Sequence, residues 1–340
     1  MALKKFRFSR SLLAVTTMVL LALAAMLFIP RLNTASTTTR LVVHRGTGFS
    51  AILDELHRNG SIRAQWPLLA TVGIFPPLRN IKPGRYLIPS GMSNFGLIFY
   101  LHNHKQDEVR VTLPEGIALT RAARIFSRKL DMDSASFMAA ASDKRLLAKY
   151  GITADNAEGY LFPGTYNFVW ASTPHEAAAF LVSRFRRFYT GDLKNIAATR
   201  GLSETGLLTL ASIVEAETPV DAEKPLVASV YLNRLEKKMR LQADPTVQYA
   251  LGGGARRLYY KDLATDSPYN TYRHNGLPPG PICNPGSVAI LAVLHPANTK
   301  FLYFVATGKG GHYFAESLGE HAKNIKRYHQ ARRDTLDKTQ

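Results

Sequence analysis

Cysteine is almost missing from this chain: Cys283 is the only one in 340 residues. That excludes an internal disulfide and a cysteine-based metal cluster, and it leaves a small buried residue as the reading of Cys283. Acid is scarce as well, with 25 Asp and Glu against 43 Lys and Arg and a formal net charge of +18. Such a surface either seeks an anionic partner or serves solubility. No tight His-Glu-x-x-His pair accompanies His312, Glu316, Glu320 and His321, so they make a poor metal site. Gly252-Gly253-Gly254 lacks the Lys-Ser/Thr of a phosphate loop and reads as a flexible turn. No metal and no cofactor are expected.

Charge is absent altogether from Leu12–Ile29, eighteen residues in which only Thr16 and Thr17 are polar. That length just suffices to cross a bilayer. Lys4, Lys5, Arg7 and Arg10 precede it without an acid, and the positive-inside rule keeps such an arm in the cytoplasm. A cytoplasmic arm (1–11), a single N-terminal transmembrane helix (12–29) in the cytoplasmic (inner) membrane, and an outward, periplasmic remainder are expected. A cleaved signal peptide is the alternative, but its apolar core is shorter and Pro30-Arg31 stands where small residues would be wanted. Outside the arm the chain keeps a charge of about +14. An exported chain meets anionic lipid and cell-wall polymer rather than nucleic acid, so no nucleic-acid partner is expected.

Residues 30–39, with the Thr/Ser/Asn stretch Asn33–Thr39, read as a flexible spacer. Beyond it, Leu41-Val42-Val43 is strand-like, and Phe49–His57 carries Ile52, Leu53 and Leu56 at helical spacing before a stop at Asn59-Gly60. A second helix over Ala64–Val72 and a turn plus strand over Ile81–Pro89 follow. This strand-helix-helix-strand unit, residues 40–105, is similar to the LysM module, with Gly84-Arg85-Tyr86-Leu87-Ile88-Pro89 as closing strand. The resemblance implies glycan binding; a structural unit without a ligand fits the same pattern. Residues 106–200 form a connecting and groove-wall region. They hold an alternating strand at Glu108–Leu113, a turn at Pro114-Glu115-Gly116, and helices near Thr120–Leu130, Ser134–Ala141 and His175–Tyr189. Within them, Glu158-Gly159-Tyr160-Leu161-Phe162-Pro163-Gly164-Thr165-Tyr166 gathers aromatics and turn formers around one acid. Core packing and a sugar-stacking wall both suit it, and the second makes Glu158 a substrate-binding candidate.

Ser203–Glu217 should be a central buried helix, capped by Ser203 and clothed by Leu207, Leu208, Leu210, Ala211, Ile213 and Val214. Its end carries Glu215-Ala216-Glu217-Thr218, and Pro219 follows. Periodicity does not choose between the two acids, which could be solvated or paired with Lys224 or Arg234. The helix end does more: a residue before proline avoids the α region, so Glu217 falls in the last turn, where the helix dipole and desolvation both favour the neutral acid. A general acid needs that state.

Further polar and aromatic residues sit in stiff turns downstream: Val230-Tyr231-Leu232-Asn233-Arg234, Leu241-Gln242-Ala243-Asp244-Pro245-Thr246, Ser267-Pro268-Tyr269-Asn270-Thr271-Tyr272, Gly276-Leu277-Pro278-Pro279-Gly280, Asn284-Pro285-Gly286 and Gly310-Gly311-His312-Tyr313-Phe314. Such a composition lines a groove. With these motifs in tandem the chain resembles the MltG (YceG-like) endolytic murein transglycosylase family from its apolar N-terminal run to about Tyr328. The resemblance implies an α+β fold with a catalytic YceG-like domain over 201–330 and a tail over 331–340. It implies cleavage of the MurNAc-β-1,4-GlcNAc bond within nascent peptidoglycan strands, without water and with 1,6-anhydro ends, and a role as terminase of glycan polymerisation. Partners would be glycan strands, the membrane and peptidoglycan synthases. Glu217-Thr218 resembles the Glu-Ser/Thr pair of lytic transglycosylases, which makes Glu217 the expected acid and base, with Glu215, Thr218 and Asp244 in support. Asp244 suits a turn-forming role equally well. Gln242, Tyr269, Asn270, Thr271 and Tyr272 would bind the sugars. A non-catalytic scaffold for cell-wall synthases and a lysozyme-type hydrolase are the competing readings.

Overall fold

Helices carry the cores of this mixed α/β chain, and the strands among the described residues form three two-stranded sheets. The computed structural model describes residues 10–30, 33–254 and 256–337. Two compact units divide the chain: up to Val109 with Asn167–Ser172, and Arg110–Tyr166 with Thr173 onward.

The first unit holds α1 (Arg10–Phe28), β1 (Thr39–Val43), α2 (Phe49–Arg58), α3 (Trp66–Ile74), β2 (Gly84–Ile88) and α4 (Asn94–Asn103). β1 and β2 pair antiparallel with Leu41 opposite Tyr86. Gly84, Tyr86 and Ile88 are buried and Arg85 and Leu87 are exposed, the period-two pattern of a half-buried strand. That face meets Ile52, Leu53 and Leu56 of α2 together with Leu68, Leu97 and Leu101. The expected flexible spacer is instead partly folded in. Asn33 and Thr34 are buried; the Asn33 side chain donates to Ala64 O and Asn94 Oδ1, both at 2.9 Å, and accepts from Ala64 N at 2.9 Å. Short polar side chains that read as linker satisfy buried backbone groups just as well. α1 packs against α3 and α4, with Leu27 buried and most of its large side chains from Leu12 to Phe28 exposed. Among the described residues no helix is long and apolar enough to cross a membrane. Lys4, Lys5 and Arg7 of the basic arm, and the side chain of Arg10, lie outside the described residues.

The chain crosses between units within β3 (Glu108–Leu113) and β4 (Gly164–Val169), which pair with each other. The second unit contains α5 (Leu119–Lys129), α6 (Ser134–Ala141), α7 (Lys144–Lys149), α8 (Pro174–Phe188), α9 (Gly191–Thr199), α10 (Glu204–Glu217), α11 (Lys224–Glu236), α12 (Asp244–Ala250), α13 (Ser287–Leu294), β5 (Tyr303–Ala306), β6 (His312–Ala315) and α14 (Leu318–Asp337). α10 is its axis. Every residue from Leu207 to Val214 is buried, and α11, α12 and α13 pack around it. A helix apolar on all sides belongs in a core, each buried Leu or Ile contributing about 1.5–3 kcal/mol. Its two interior hydroxyls are satisfied locally, Thr209 Oγ1 on Thr205 O and Ser212 Oγ on Thr209 O, both at 2.7 Å. Ser203 caps the start through Gly206 N. At the other end Thr218 is extended, φ −139° and ψ 131°, so Pro219 stops the helix as its chemistry demands. Cys283 lies buried against this helix, its Sγ 3.3 Å from Ser212 O.

Candidate active site

Two residues apart on a helix means roughly 200° of rotation, and Glu215 and Glu217 meet different surroundings. The Glu215 side chain is 7% exposed. Its Oε1 takes Lys224 Nζ at 2.9 Å and its Oε2 takes Gly286 N at 2.9 Å. Lys224, at the start of α11, is itself buried and also reaches Asp221 at 2.9 Å. Burial alone would lower the pKa of this lysine; its bonds to Asp221 and Glu215 outweigh that and raise it. Both Glu215 oxygens are therefore engaged in holding α10, α11 and the start of α13 together.

Glu217 is half-buried and has one close donor, Tyr231 Oη at 2.5 Å. Desolvation pushes its pKa up to about 7; the Tyr231 hydrogen bond pulls down, the Asp244 charge pushes up and the Arg234 charge pulls down. Lying in the last turn of α10, it also faces the negative end of the helix dipole. A carboxyl poised this way can give a proton and take it back near neutrality. Tyr231 comes from α11, and Arg234 follows one turn later on the same helix. Arg234 is fixed by Leu302 O at 2.7 Å and Leu241 O at 2.6 Å, with its guanidinium over the Tyr303 ring.

Asp244 opens α12 and is exposed. Tyr272 Oη donates to its Oδ1 at 2.6 Å. Burial raises the Tyr272 pKa, followed by the Asp244 hydrogen bond and charge and by the Glu217 charge, so Tyr272, Asp244 and Glu217 share one electrostatic neighbourhood. Gln242 is exposed beside them with a left-handed backbone, φ 49°. A non-glycine residue there is uncommon, and such residues concentrate at functional sites.

The remaining candidates lie elsewhere. Asn270 and Thr271 are buried: Asn270 Nδ2 donates to Leu263 O and Thr265 O at 2.9 and 2.8 Å, and Thr271 Oγ1 accepts from Ala243 N at 2.9 Å. They shape the loops that present Gln242, Asp244 and Tyr272 and have no free face for a sugar. Tyr269 packs at a tilt against Tyr249, centroids 4.8 Å apart, and its electrostatic neighbours are Glu158 and Asp155 rather than Glu217. Glu158 is also interior, 6% exposed. Its two oxygens accept from Leu119 N at 2.9 and 3.0 Å, and Oε1 accepts from Asn284 Nδ2 at 3.0 Å. Burial pushes its pKa up to about 7 while the Leu119 N–H pulls down. The expected wall residue is thus an internal brace at the N-terminus of α5, because the lone acid among those aromatics finds backbone donors rather than solvent. Thr218 Oγ1 accepts from Val220 N at 3.1 Å and caps the turn after α10. His312, dismissed as a ligand, pairs with Glu223 at 2.7 Å. Sequence reasoning placed Tyr231 and Arg234 among the groove-lining residues but gave Tyr231 no role toward Glu217; their i, i+3 spacing on the helix after the acids was the available signal.

A model of the YceG-like family matches residues 41–327. The chain is 33% identical over 309 residues to the endolytic murein transglycosylase of Bacillus subtilis (strain 168), covering 86% of each. It is 29% identical over 278 residues to the protein of that name from Streptococcus pneumoniae (strain D39), covering 72% of this chain and 50% of that one, so it spans about half the length of this relative. A crystal structure of a YceG-like protein from Listeria monocytogenes superposes with a TM-score of 0.59 at 29% identity, over 85% of this chain and 99% of the other.

Proposed function

Because the chain belongs to the YceG-like family, we propose that it is a peptidoglycan lytic transglycosylase, cutting the MurNAc-β-1,4-GlcNAc bond within glycan strands. The observation that carries the mechanism is the placement of Glu217, a half-buried carboxyl in the last turn of α10 that accepts from Tyr231 Oη, where desolvation pushes its pKa up to about 7. Protonated Glu217 gives its proton to the glycosidic oxygen as the bond from C1 of MurNAc breaks, and the electron pair leaves with O4 of GlcNAc. An oxocarbenium-like centre develops at C1. The Tyr231 hydroxyl and the Arg234 charge stabilise the Glu217 carboxylate so formed. That carboxylate then takes the proton of the sugar's own 6-hydroxyl, which closes on C1 to give the 1,6-anhydro end and restores the acid. Water is not consumed. Asp244, held by Tyr272, places negative charge near the developing cation, and Gln242 and Tyr272 contact the sugars. Glu215 and Thr218 position the end of α10.

The Leu12–Ile29 run and the basic residues before it support a single-pass anchor in the cytoplasmic membrane, with the enzyme outside, in the periplasm. Within residues 40–105, the order β1-α2-α3-β2, ahead of α4, supports a LysM-like, glycan-binding unit. An enzyme so placed meets nascent strands beside their synthases and sets where polymerisation ends.

Isolated glycan strands incubated with the protein and analysed by mass spectrometry test the chemistry. Anhydro ends are expected; reducing ends would mean a hydrolase, and uncut strands a binding scaffold. Glu217→Gln should abolish the anhydro product and keep strand binding. Survival of activity in that variant, with Glu215→Gln dead, would transfer the acid role to Glu215.

A further inference from the structure

The first unit distributes its apolar residues unevenly. α3 buries Leu68, Thr71 and Val72 and turns Trp66, Leu69 and Ile74 outward, 52%, 45% and 59% exposed. Those positions span roughly 140° on the outward side of the helix, and Phe75 extends it at 40% exposure. On α4, Leu97, Ile98 and Leu101 are buried while Phe99 is 51% exposed. Soluble surfaces scatter such residues singly; a contiguous set marks an interaction site.

What covers this set is indicated by its neighbour. Phe95 links the face to α1, its ring centroid 5.4 Å from Phe28, 5.4 Å from Phe75 and 5.8 Å from Phe99. Phe28 ends α1 and is itself half exposed, and the exposed apolar surface continues along that helix toward Leu12. The apolar face of α3 and α4 and the apolar sides of α1 are therefore one surface, and whatever solvates α1 meets α3 and α4 at its end. Exposed Arg63 precedes α3 and exposed Arg79 follows it, which places cations at the rim of the face, as on helices that bind anionic bilayers. Trp at the edge of an apolar band is the residue that favours the headgroup boundary.

We propose that α3 and α4 form a membrane-docking surface, seated in the boundary between lipid headgroups and acyl chains beside the end of α1. This rests on the anchor reading above. A second copy of the chain would also cover an apolar face, but it would have to displace the lipid that surrounds the adjoining α1.

The two tryptophans, Trp66 and Trp170, make the proposal measurable on the full chain. In a Trp170→Phe variant reconstituted into phosphatidylethanolamine–phosphatidylglycerol vesicles, Trp66 should emit at short wavelength. It should lose roughly half its emission to lipids brominated near the headgroup, since an interfacial side chain lies within reach of them. Adding Leu69→Ser and Phe99→Ser, both at exposed positions, should weaken that quenching while the protein still floats with the vesicles. Flotation with solvent-like, bromolipid-insensitive Trp66 emission overturns the docking and leaves the anchor. Emission that follows protein density at fixed lipid assigns the face to a second copy and also overturns it. Failure to float overturns anchor and docking together.

Discussion

Removing the Tyr231 hydroxyl while keeping its ring isolates the one hydrogen bond that Glu217 receives. The ring is 1% exposed and packs edge-on against Phe304 at 5.9 Å, so Tyr231→Phe fills the same space. The lost bond favours the ionised carboxyl. A hydrogen bond to a charged group contributes about 1.5–3 kcal/mol, or about 1–2 pH units at 1.36 kcal/mol per unit. Glu217 must be protonated to start the reaction, so kcat/KM should be level below its pKa and fall above it. From a limb near pH 7 in the parent, the Tyr231→Phe variant should therefore fall off about one to two pH units later. Its rate at lower pH should drop, because the carboxylate formed on proton transfer has lost its partner. Asp244→Asn removes a charge that raises Glu217 and should move the same limb the other way. Anhydro-product formation from isolated strands, followed at steps from roughly pH 5 to pH 9, reads both displacements. A limb that stays in place in both variants, or moves to lower pH in Tyr231→Phe, refutes this account of the acid.

A carboxyl whose folded pKa is raised is protonated in both states below its ordinary value, and its penalty grows as pH rises toward the folded pKa. With Glu217 raised from 4.5 to about 7, that penalty is about 3 kcal/mol at most, less for a half-exposed group. Glu217→Gln should accordingly melt higher than the parent at pH 8 and by little at pH 5; an equal difference at both refutes the shift. Glu215→Ala leaves the buried Lys224 with Asp221 as its remaining close carboxylate and Gly286 N without an acceptor, and should cost about 1–3 kcal/mol in denaturant unfolding, whereas an unchanged midpoint would mean that the pair is not formed. Glu158→Ala leaves Leu119 N without its acceptor while Asn284 Nδ2 keeps Ile117 O, and should destabilise by about 1–3 kcal/mol with strand KM unchanged in the folded fraction. A raised KM at unchanged stability would return Glu158 to the substrate.

The helix at Ser203–Glu217 was legible because its signals are local: a capping serine, an unbroken apolar run and a proline stop, all of which the structure uses. The strand at Glu108–Leu113 and the helix at Ser134–Ala141 were legible for the same reason. What hydrogen-bonding side chains face was not legible. Asn and Thr offer the same groups to a sugar and to a backbone, and only the packed loops decide that Asn270 and Thr271 turn inward while Gln242 and Asp244 turn out. Asn33 and Thr34 misled in the same way, as linker composition that folded inward. The bond between Glu217 and Tyr231 joins residues 14 apart, and it exists only because α11 packs on α10 at one rotation.

That rotation depends on the other acid. Glu215 ties the last turn of α10 to Lys224, the first residue of α11, and its second oxygen sits on the N-cap of α13, where a helix favours negative charge. Seven residues separate Lys224 from Tyr231, two turns on one face. The ion pair at one end of that face thus fixes how the tyrosine at the other end meets Glu217. Loosening it should lengthen the Tyr231 bond and shift the acid's pKa upward before the fold is lost. Lys224→Arg keeps the charge with a different reach, so it should reproduce part of the Tyr231→Phe displacement of the alkaline limb at near-parent stability. A limb that stays at the parent position while stability drops would show that the two acids are neighbours without being coupled.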